Sequence, residues 1–203
     1  HWVSNPVARI GPVNFESLQL AIRDVTTDNT QTTILLLQND AEAVEIIPDQ
    51  NIVIDLQSYT LSNDGSKHLD SIIGTEARTV VIENSGTLRI TNGIITSSAA
   101  QAAINNNATI TIDNATVNNT GTRQAIYNNA NGTVEIYGTA YLSSSATGKP
   151  PRITLERATV QNLSGAILNI TGGTIVGTNQ QAISNEGTMT IGIKQDGIIS
   201  TSS

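Results

Sequence analysis

The sequence predicts an all-β protein, a right-handed parallel β-helix of about 22 residues per coil that is preceded by a short N-terminal capping helix. Three observations predict this fold. A pattern of apolar residues recurs along the chain, an asparagine returns at the same place in each repeat, and aromatic residues make up only 3% of the composition. We therefore expect a core of Ile, Val, Leu and Ala that is stacked from coil to coil.

The capping helix is expected within an N-terminal segment formed by residues 1–30. Asn14 is a residue type that caps helices, so the predicted helix runs from Phe15 to about Val25. Its apolar residues share one face at spacings of three and four: Phe15, Leu18, Ala21, Ile22 and Val25. We expect the helix to cover the open end of the β-helix and to protect its edge from pairing with other chains.

Residues 31–203 are predicted to form the coils of one continuous domain. Strands of the earlier coils are expected at 33–37, 44–47 and 52–56. Each later repeat has an apolar residue, a variable residue and an asparagine, then a turn, a strand that usually begins with Thr, a second turn and an apolar pair. The repeated asparagines are Asn84, Asn106, Asn128, Asn162 and Asn185.

Successive spacings of these asparagines are 22, 22, 34 and 23 residues, so one coil carries about 12 additional residues. We place this inserted loop at about 143–157, where Ser, Gly and Pro are frequent. Alternation in the second strand predicts an inward column of Leu88, Ile110, Val134, Leu168 and Met189, and a second one of Ile90, Ile112, Ile136, Ile170 and Ile191.

The repeated asparagines are interpreted as a structural ladder and not as a ligand site. Stacked amides can donate hydrogen bonds to one another along the axis. Asparagine also tolerates the left-handed backbone conformation of tight turns.

Composition excludes several classes of function. Cysteine is absent, so neither a disulfide framework nor a zinc–thiolate site can form. The net charge of −7 disfavours nucleic acid as a partner. No apolar run is long enough to cross a bilayer, so we expect no membrane insertion by this segment. The chain is expected to be a monomeric piece of a longer protein.

Catalysis finds little support in the residues. A polysaccharide lyase or hydrolase needs clustered carboxylates, whereas the acids here are dispersed and no two Asp are adjacent. Asp113 and Glu135 come nearest to such a pair, and His68 stands without a nucleophile motif. An ice-binding face is disfavoured because only two of five coils have Thr at both outward positions of the second strand. We predict no enzyme activity, metal or cofactor.

The chain also resembles a known family. Residues 15–22 (Phe-Glu-Ser-Leu-Gln-Leu-Ala-Ile), 33–40, 51–61, 169–175 (Asn-Ile-Thr-Gly-Gly-Thr-Ile) and 182–191 are similar to the pectate-lyase-like β-helix modules of Gram-positive cell-surface proteins, including adhesins. The resemblance covers the chain from about residue 10 onward. It implies display on the bacterial cell surface, with cell-wall attachment through regions outside these residues. It also implies binding to host or matrix glycans and glycoproteins, including acidic or mucin-type glycans.

We predict a recognition surface around the inserted loop, because tyrosine rings stack on sugars and cations pair with sugar carboxylates. The predicted ligand residues are Tyr127, Tyr137, Tyr141, Arg123, Lys149, Arg152 and Arg157. In the alternative interpretation, the tyrosines pack under the loop and the cations are only solvated. The predicted function is a non-catalytic adhesin binding region; the alternatives are a β-helix polysaccharide lyase or hydrolase and a purely structural surface spacer.

Overall fold

Three stacked sheets form the protein in the computed structural model, which describes residues 5–69, 79–99, 101–145, 158–178 and 180–192. Sheet A contains β1 Ala8–Ile10, β2 Val13–Phe15, β3 Gln31–Leu36, β6 Asn51–Asp55, β9 Thr87–Thr91, β12 Thr109–Asp113, β15 Thr133–Tyr137, β18 Ile167–Ile170 and β21 Thr188–Ile191. Sheet B contains β4 Asp40–Ala41, β7 Thr60–Asn63, β10 Ile94–Ser97, β13 Thr116–Asn119, β16 Tyr141–Ser144 and β19 Thr174–Gly177. Sheet C contains β5 Val44–Ile46, β8 Ile82–Asn84, β11 Ile104–Asn106, β14 Ile126–Asn128, β17 Ala158–Asn162 and β20 Gln181–Asn185.

The predicted parallel β-helix is confirmed by the order of these strands. From β3 onward the chain visits sheets A, B and C in turn, and each strand pairs in parallel with its equivalents one coil before and after. In sheet A, for example, Ile112 lies in register with Ile90 on one side and Ile136 on the other. Among the described strands, only β1 pairs in antiparallel orientation, with β2 and with β3.

The interior of the coil consists of aliphatic columns. Leu88, Ile110 and Val134 follow one another in register and are at most 1% exposed. Met189 and Ile191 continue the two predicted columns in register, yet they are 39% and 50% exposed. They are exposed because β21 is the last described strand of its sheet, so no described coil covers them.

The N-terminal helix is shorter than predicted and begins later. Helix α1 spans Leu18–Asp24, and its N-cap is Ser17, whose hydroxyl accepts a hydrogen bond from the Leu20 N–H. The predicted cap, Asn14, and the predicted first helical residue, Phe15, lie instead in β2. They are extended because β2 pairs with β1.

The N-terminal edges of sheets A and C are contacted in different ways. In sheet A, β1 pairs with the outer edge of β3, so a strand and not the helix closes this edge. In sheet C, the Gln19 side chain of α1 accepts a hydrogen bond from the Glu45 N–H at 2.7 Å and donates one to the Glu45 carbonyl at 3.3 Å. The Gln19 amide therefore pairs with β5 much as a neighbouring strand would.

Two long connections leave the same corner of the coil, where the chain passes from sheet B to sheet C. The predicted insertion lies in the connection between β16 and β17, residues 145–157, most of which is outside the described residues. A second one, residues 64–81, joins β7 to β8 and was not predicted. The connections of the two intervening coils, 98–103 and 120–125, are short.

Candidate functional site

The repeated asparagines form a hydrogen-bonded column inside the corner between sheets C and A. The Nδ2 atom of Asn84 donates to the Oδ1 atom of Asn106 at 2.8 Å, and the next three steps, through Asn128 and Asn162 to Asn185, each measure 2.7 Å. Each of the first four also donates to backbone carbonyls, and these four are fully buried. The four buried members are therefore satisfied by the protein itself and are not placed to bind a ligand.

The expected use of left-handed backbone by these asparagines is wrong. All five lie in strands, and none has a positive φ. The left-handed residues at the corners include other asparagines, Asn92, Asn114 and Asn131, together with Gln57, Ser58 and glycines such as Gly138. The ladder asparagines need an extended backbone because their neighbours in the strand alternate between the core and the surface.

The predicted tyrosines are not brought together. Tyr127 lies on the outer face of sheet C, Tyr137 on that of sheet A and Tyr141 on that of sheet B. Tyr137 and Tyr141 belong to one coil and flank a three-residue corner, 138–140. Of the three rings, Tyr141 is the most open, at 42% exposure.

Of the four predicted cations, one lies within the described residues. Arg123 lies in the connection between β13 and β14, is half-buried and has a partner. The other three, Lys149, Arg152 and Arg157, lie outside the described residues. The ligand set predicted from the sequence is therefore spread over three faces where the structure describes it.

The outer face of sheet A is occupied by charged side chains that pair with one another. Arg89 forms an ion pair with Asp113 of the next coil. The Glu135 carboxylate accepts hydrogen bonds from the Thr111 hydroxyl at 3.4 Å and from the Tyr137 hydroxyl at 3.3 Å. Partial burial, followed by the charge of Glu135, raises the pKa of Tyr137, while Arg89 lowers it less strongly.

Sheet C offers little open surface on its outer side. Glu45 and Glu83 lie in register there, and both are more than nine-tenths buried. Glu83 accepts hydrogen bonds from Asn105 at 2.8 and 2.9 Å and from Asn107 at 2.7 Å. Amide donors therefore already surround this carboxylate.

Among the described residues, the outer face of sheet B is different, because it is exposed and its two columns carry no charged side chain from the second coil to the sixth. Its first column consists of Thr60, Ile94, Thr116, Tyr141 and Thr174. Its second column consists of Ser62, Thr96, Asn118, Ser143 and Val176. We call these two columns the B face. Every residue of the B face is at least partly exposed.

A groove of about 240 Å³ runs beside the second column of the B face. Ser62 and Thr96 form its floor, and Asp64, Ser66 and Lys67 form one wall. The wall belongs to the connection between β7 and β8 and is held by the Asn63 side chain, which accepts from the Gly65 N–H at 2.9 Å and donates to the Lys67 carbonyl at 3.0 Å. Hydrogen bonds from Ser66, through its side chain and backbone, lower the pKa of Asp64.

A larger cleft, of about 390 Å³, lies at the N-terminal end between α1 and residues 40–45 and 67–69. Its carboxylates cap the helix: Asp40 accepts a hydrogen bond from the Leu18 N–H at 3.4 Å, and Glu42 accepts one from the Gln19 N–H at 3.1 Å. Burial raises the pKa of Glu42, and the nearby Asp40 raises it further. Because Asp40 and Glu42 already accept hydrogen bonds from the first turn of α1, we interpret this cleft as a contact that stabilises the helix on the coil and not as a ligand site.

Apart from Tyr141, the residues of the B face were not singled out from the sequence, although a signal for them exists. The same alternation that identifies the inward columns also places Ile94, Thr96 and Asn118 outward on the third strand of their coils. The groove wall gives a weaker signal, because only its start recurs: Asn63 and Gly65 correspond to Asn119 and Gly121, whereas the connection that follows Asn63 is much longer.

Comparisons with known proteins assign no family to the chain. No family model, no curated protein and no solved structure matches this sequence. The described residues contain no group of three or more His, Asp or Glu placed to hold a metal ion. No described helix has the length and apolar character needed to cross a membrane.

Proposed function

We propose that this chain is a non-catalytic, glycan-binding region of a bacterial cell-surface adhesin. The observation that carries the proposal is the B face, an open strip of hydroxyl, amide and apolar side chains that extends over five coils and is bordered by a groove. Glycans present hydroxyl groups on their edges and C–H groups on their ring faces. The B face offers the matching groups for both.

The apolar contacts would come from the first column. Tyr141 and Ile94 are 42% and 40% exposed and lie two coils apart, with Thr116 between them. An exposed phenol ring can stack on the C–H face of a sugar while its hydroxyl remains solvated. We therefore assign Tyr141, from the residues first predicted, as the principal sugar contact.

Catalysis is not part of this proposal, because the carboxylates nearest to a catalytic pair have other partners. Asp113 is engaged by Arg89, and Glu135 accepts hydrogen bonds from Thr111 and Tyr137. A general base must instead be free to reach a substrate proton. These groups also lie on sheet A, and not on the B face.

Placement on the cell surface rests on the resemblance to β-helix modules of Gram-positive surface proteins. A β-helix suits this role physically. Its continuous core and asparagine column link each coil to the next, so a ligand face can be held rigidly at a distance from the cell. Many copies on one cell would compensate for weak binding at each site.

A glycan array tests the proposal with three proteins: the chain itself, Tyr141→Ala and Tyr127→Ala. The two variants remove the same side chain from different faces, so the second controls for general loss of a tyrosine. We expect reproducible binding by the parent and by Tyr127→Ala, and a loss of about tenfold in affinity for Tyr141→Ala. Equal melting temperatures would show that all three are folded.

The other outcomes distinguish the alternatives. A blank array for a folded chain would overturn the proposal in favour of a structural spacer. New reducing ends or unsaturated sugars after incubation with polysaccharides would overturn it in favour of a hydrolase or a lyase. Binding that depends on Tyr127 and ignores Tyr141 would move the site to sheet C and refute the assignment of the B face.

A further inference from the structure

The B face repeats along the solenoid axis with the spacing of the strands. Neighbouring parallel strands lie about 4.8 Å apart, so side chains in one column recur at this interval. Thr60, Thr116 and Thr174 are in the first column, and Ser62, Thr96 and Ser143 are in the second. Hydroxyl groups are therefore offered in every one of these coils, in two parallel rows.

Some of these polar groups have protein partners, and others are available to a ligand. The Ser62 hydroxyl donates to the Asp40 carbonyl at 3.3 Å, and the Ser143 hydroxyl donates to the Asn118 Oδ1 atom at 3.3 Å. Within the part of the chain that the structure describes, the hydroxyls of Thr96 and Thr116 have no protein partner. The Asn118 Nδ2 atom likewise donates to no described residue. The centre of the B face thus presents donors that no described residue satisfies and that a ligand could engage.

The electrostatic character of the B face disfavours an anionic ligand. Neither column contains a cation to pair with a carboxylate or sulfate. At the edge of the groove, Lys67 lies near Asp64, whose charge opposes that of Lys67. The chain as a whole has a net charge of −7, which repels anions at low ionic strength.

We propose that the B face binds a linear, uncharged polysaccharide laid along the solenoid axis, with roughly one sugar over each coil. This inference rests on the proposed function and specifies its ligand class. Thr96, Thr116 and Asn118 hydrogen-bond to sugar hydroxyls, while Ile94 and Tyr141 contact the ring faces two coils apart. The groove beside Ser62 and Thr96 holds one end of the polymer.

A length series of neutral oligosaccharides tests this inference by calorimetric titration. The probes are β-1,4-linked oligomers of glucose, mannose, xylose and N-acetylglucosamine from monomer upward, with oligogalacturonates as the charged counterpart. For at least one neutral series we expect affinity to rise with each added sugar and to level off near about five units, since five coils carry the B face. The affinity should be unchanged between about 50 mM and about 500 mM NaCl.

A matched pair of variants places the ligand on the B face. Thr116→Glu introduces a charge at its centre, and Thr109→Glu introduces the same charge on sheet A of the same coil. We expect the first to weaken binding of the longest neutral oligomer by at least about tenfold, because a carboxylate is desolvated under the sugar. The second should bind as the parent does, and thermal unfolding verifies that both are folded.

Three results would overturn the inference and leave glycan binding in place. They are equal affinity for monomer and hexamer, a preference for oligogalacturonates that fades with salt, and weakened binding in Thr109→Glu but not in Thr116→Glu. If the folded chain binds no glycan of any kind on the array, the proposed function itself fails, and this inference fails with it.

Discussion

The side-chain amide of Asn106 donates a hydrogen bond to the Oδ1 atom of Asn128 at 2.7 Å, and the two residues lie in register in adjacent coils. Both side chains are fully buried. Each amide accepts from the coil before and donates to the coil after, so the column connects five coils without a break. Buried polar groups are costly when unpaired, so each member of the column depends on its neighbours.

Replacing Asn128 with Ala tests this dependence. The change removes the acceptor of Asn106, the donor to Asn162 and the hydrogen bonds to the carbonyls of Gly132 and Ile167. We expect Asn128→Ala to lower the free energy of unfolding by about 1–3 kcal/mol, because the Asn106 amide is left buried with fewer partners. Urea denaturation followed by circular dichroism measures the difference.

Asn185→Ala is the control for that experiment. Asn185 accepts from Asn162 at the end of the column and is exposed, so water can replace it. Its replacement is expected to cost less than about 1 kcal/mol. Equal losses for Asn128→Ala and Asn185→Ala would contradict the view that burial makes the column important.

The repeat was predictable from the sequence because burial imposes the same demand on every coil. Leu88 and Ile110 must both point inward, and the alternation around them can be recognised without knowing any contact. The start of the helix was not predictable in this way. Asn14 and Ser17 are both good N-caps, and the pairing of β2 with β1 decides between them.

The candidate site was only partly predictable. Tyr141 was identified because tyrosine is rare in this chain, whereas Thr96 and Asn118 were overlooked because Thr and Asn are common in every coil. The groove wall at residues 64–67 belongs to a connection that is much longer than those of the next two coils, so periodicity says little about its path. Residues of this connection and of the B face come together around the groove only in the folded chain.

Residues of the same inward column are expected to contribute unequally to stability, because their burial differs along the solenoid. Ile110 is fully buried between neighbouring coils, whereas Met189, in the same column, is 39% exposed. Ile110→Ala should lower the free energy of unfolding by about 2–5 kcal/mol, since it leaves a cavity. Met189→Ala should cost less than about 1 kcal/mol. Similar losses in parallel urea titrations would show that the terminal coil is covered in solution.

Close contact between coils should make Gly93 intolerant of a side chain. A Cβ atom at Gly93 would lie 2.6 Å from the Tyr59 carbonyl oxygen and against the Leu56 side chain of the preceding coil. We expect Gly93→Ala to cost about 1–3 kcal/mol through overpacking. At Gly192 the nearest atom to such a Cβ is 3.7 Å away, so Gly192→Ala should change stability by less than about 0.5 kcal/mol. Thermal unfolding of the two variants compares them, and a neutral Gly93→Ala would refute the tight contact.

Titration of Glu42, which lies at the N-terminal end, should make the free energy of unfolding depend on pH. Burial and the nearby Asp40 raise its pKa in the folded state, against the opposing hydrogen bond from the Gln19 N–H. Between the ordinary glutamate value of 4.5 and the raised folded pKa, the folded state binds more protons, so stability falls as pH rises through this range. Glu42→Gln keeps an acceptor for Gln19 and removes the charge. The variant should therefore be more stable than the parent at pH values above the folded pKa, with the advantage shrinking as pH falls toward 4.5.

Asp28 supplies a control of opposite sign. The backbone N–H of Thr30, followed by the Thr26 hydroxyl, lowers its pKa below the ordinary value of 3.8. Its ionised form therefore stabilises the folded state above pH 3.8, and this contribution is lost as pH falls through the lowered folded pKa. Asp28→Asn should be less stable than the parent at neutral pH, whereas Glu42→Gln should be more stable. Urea titrations of both variants at a series of pH values measure the two differences. A shift of the same sign for both would mean that general charge repulsion, and not the local partners of each carboxylate, controls the response.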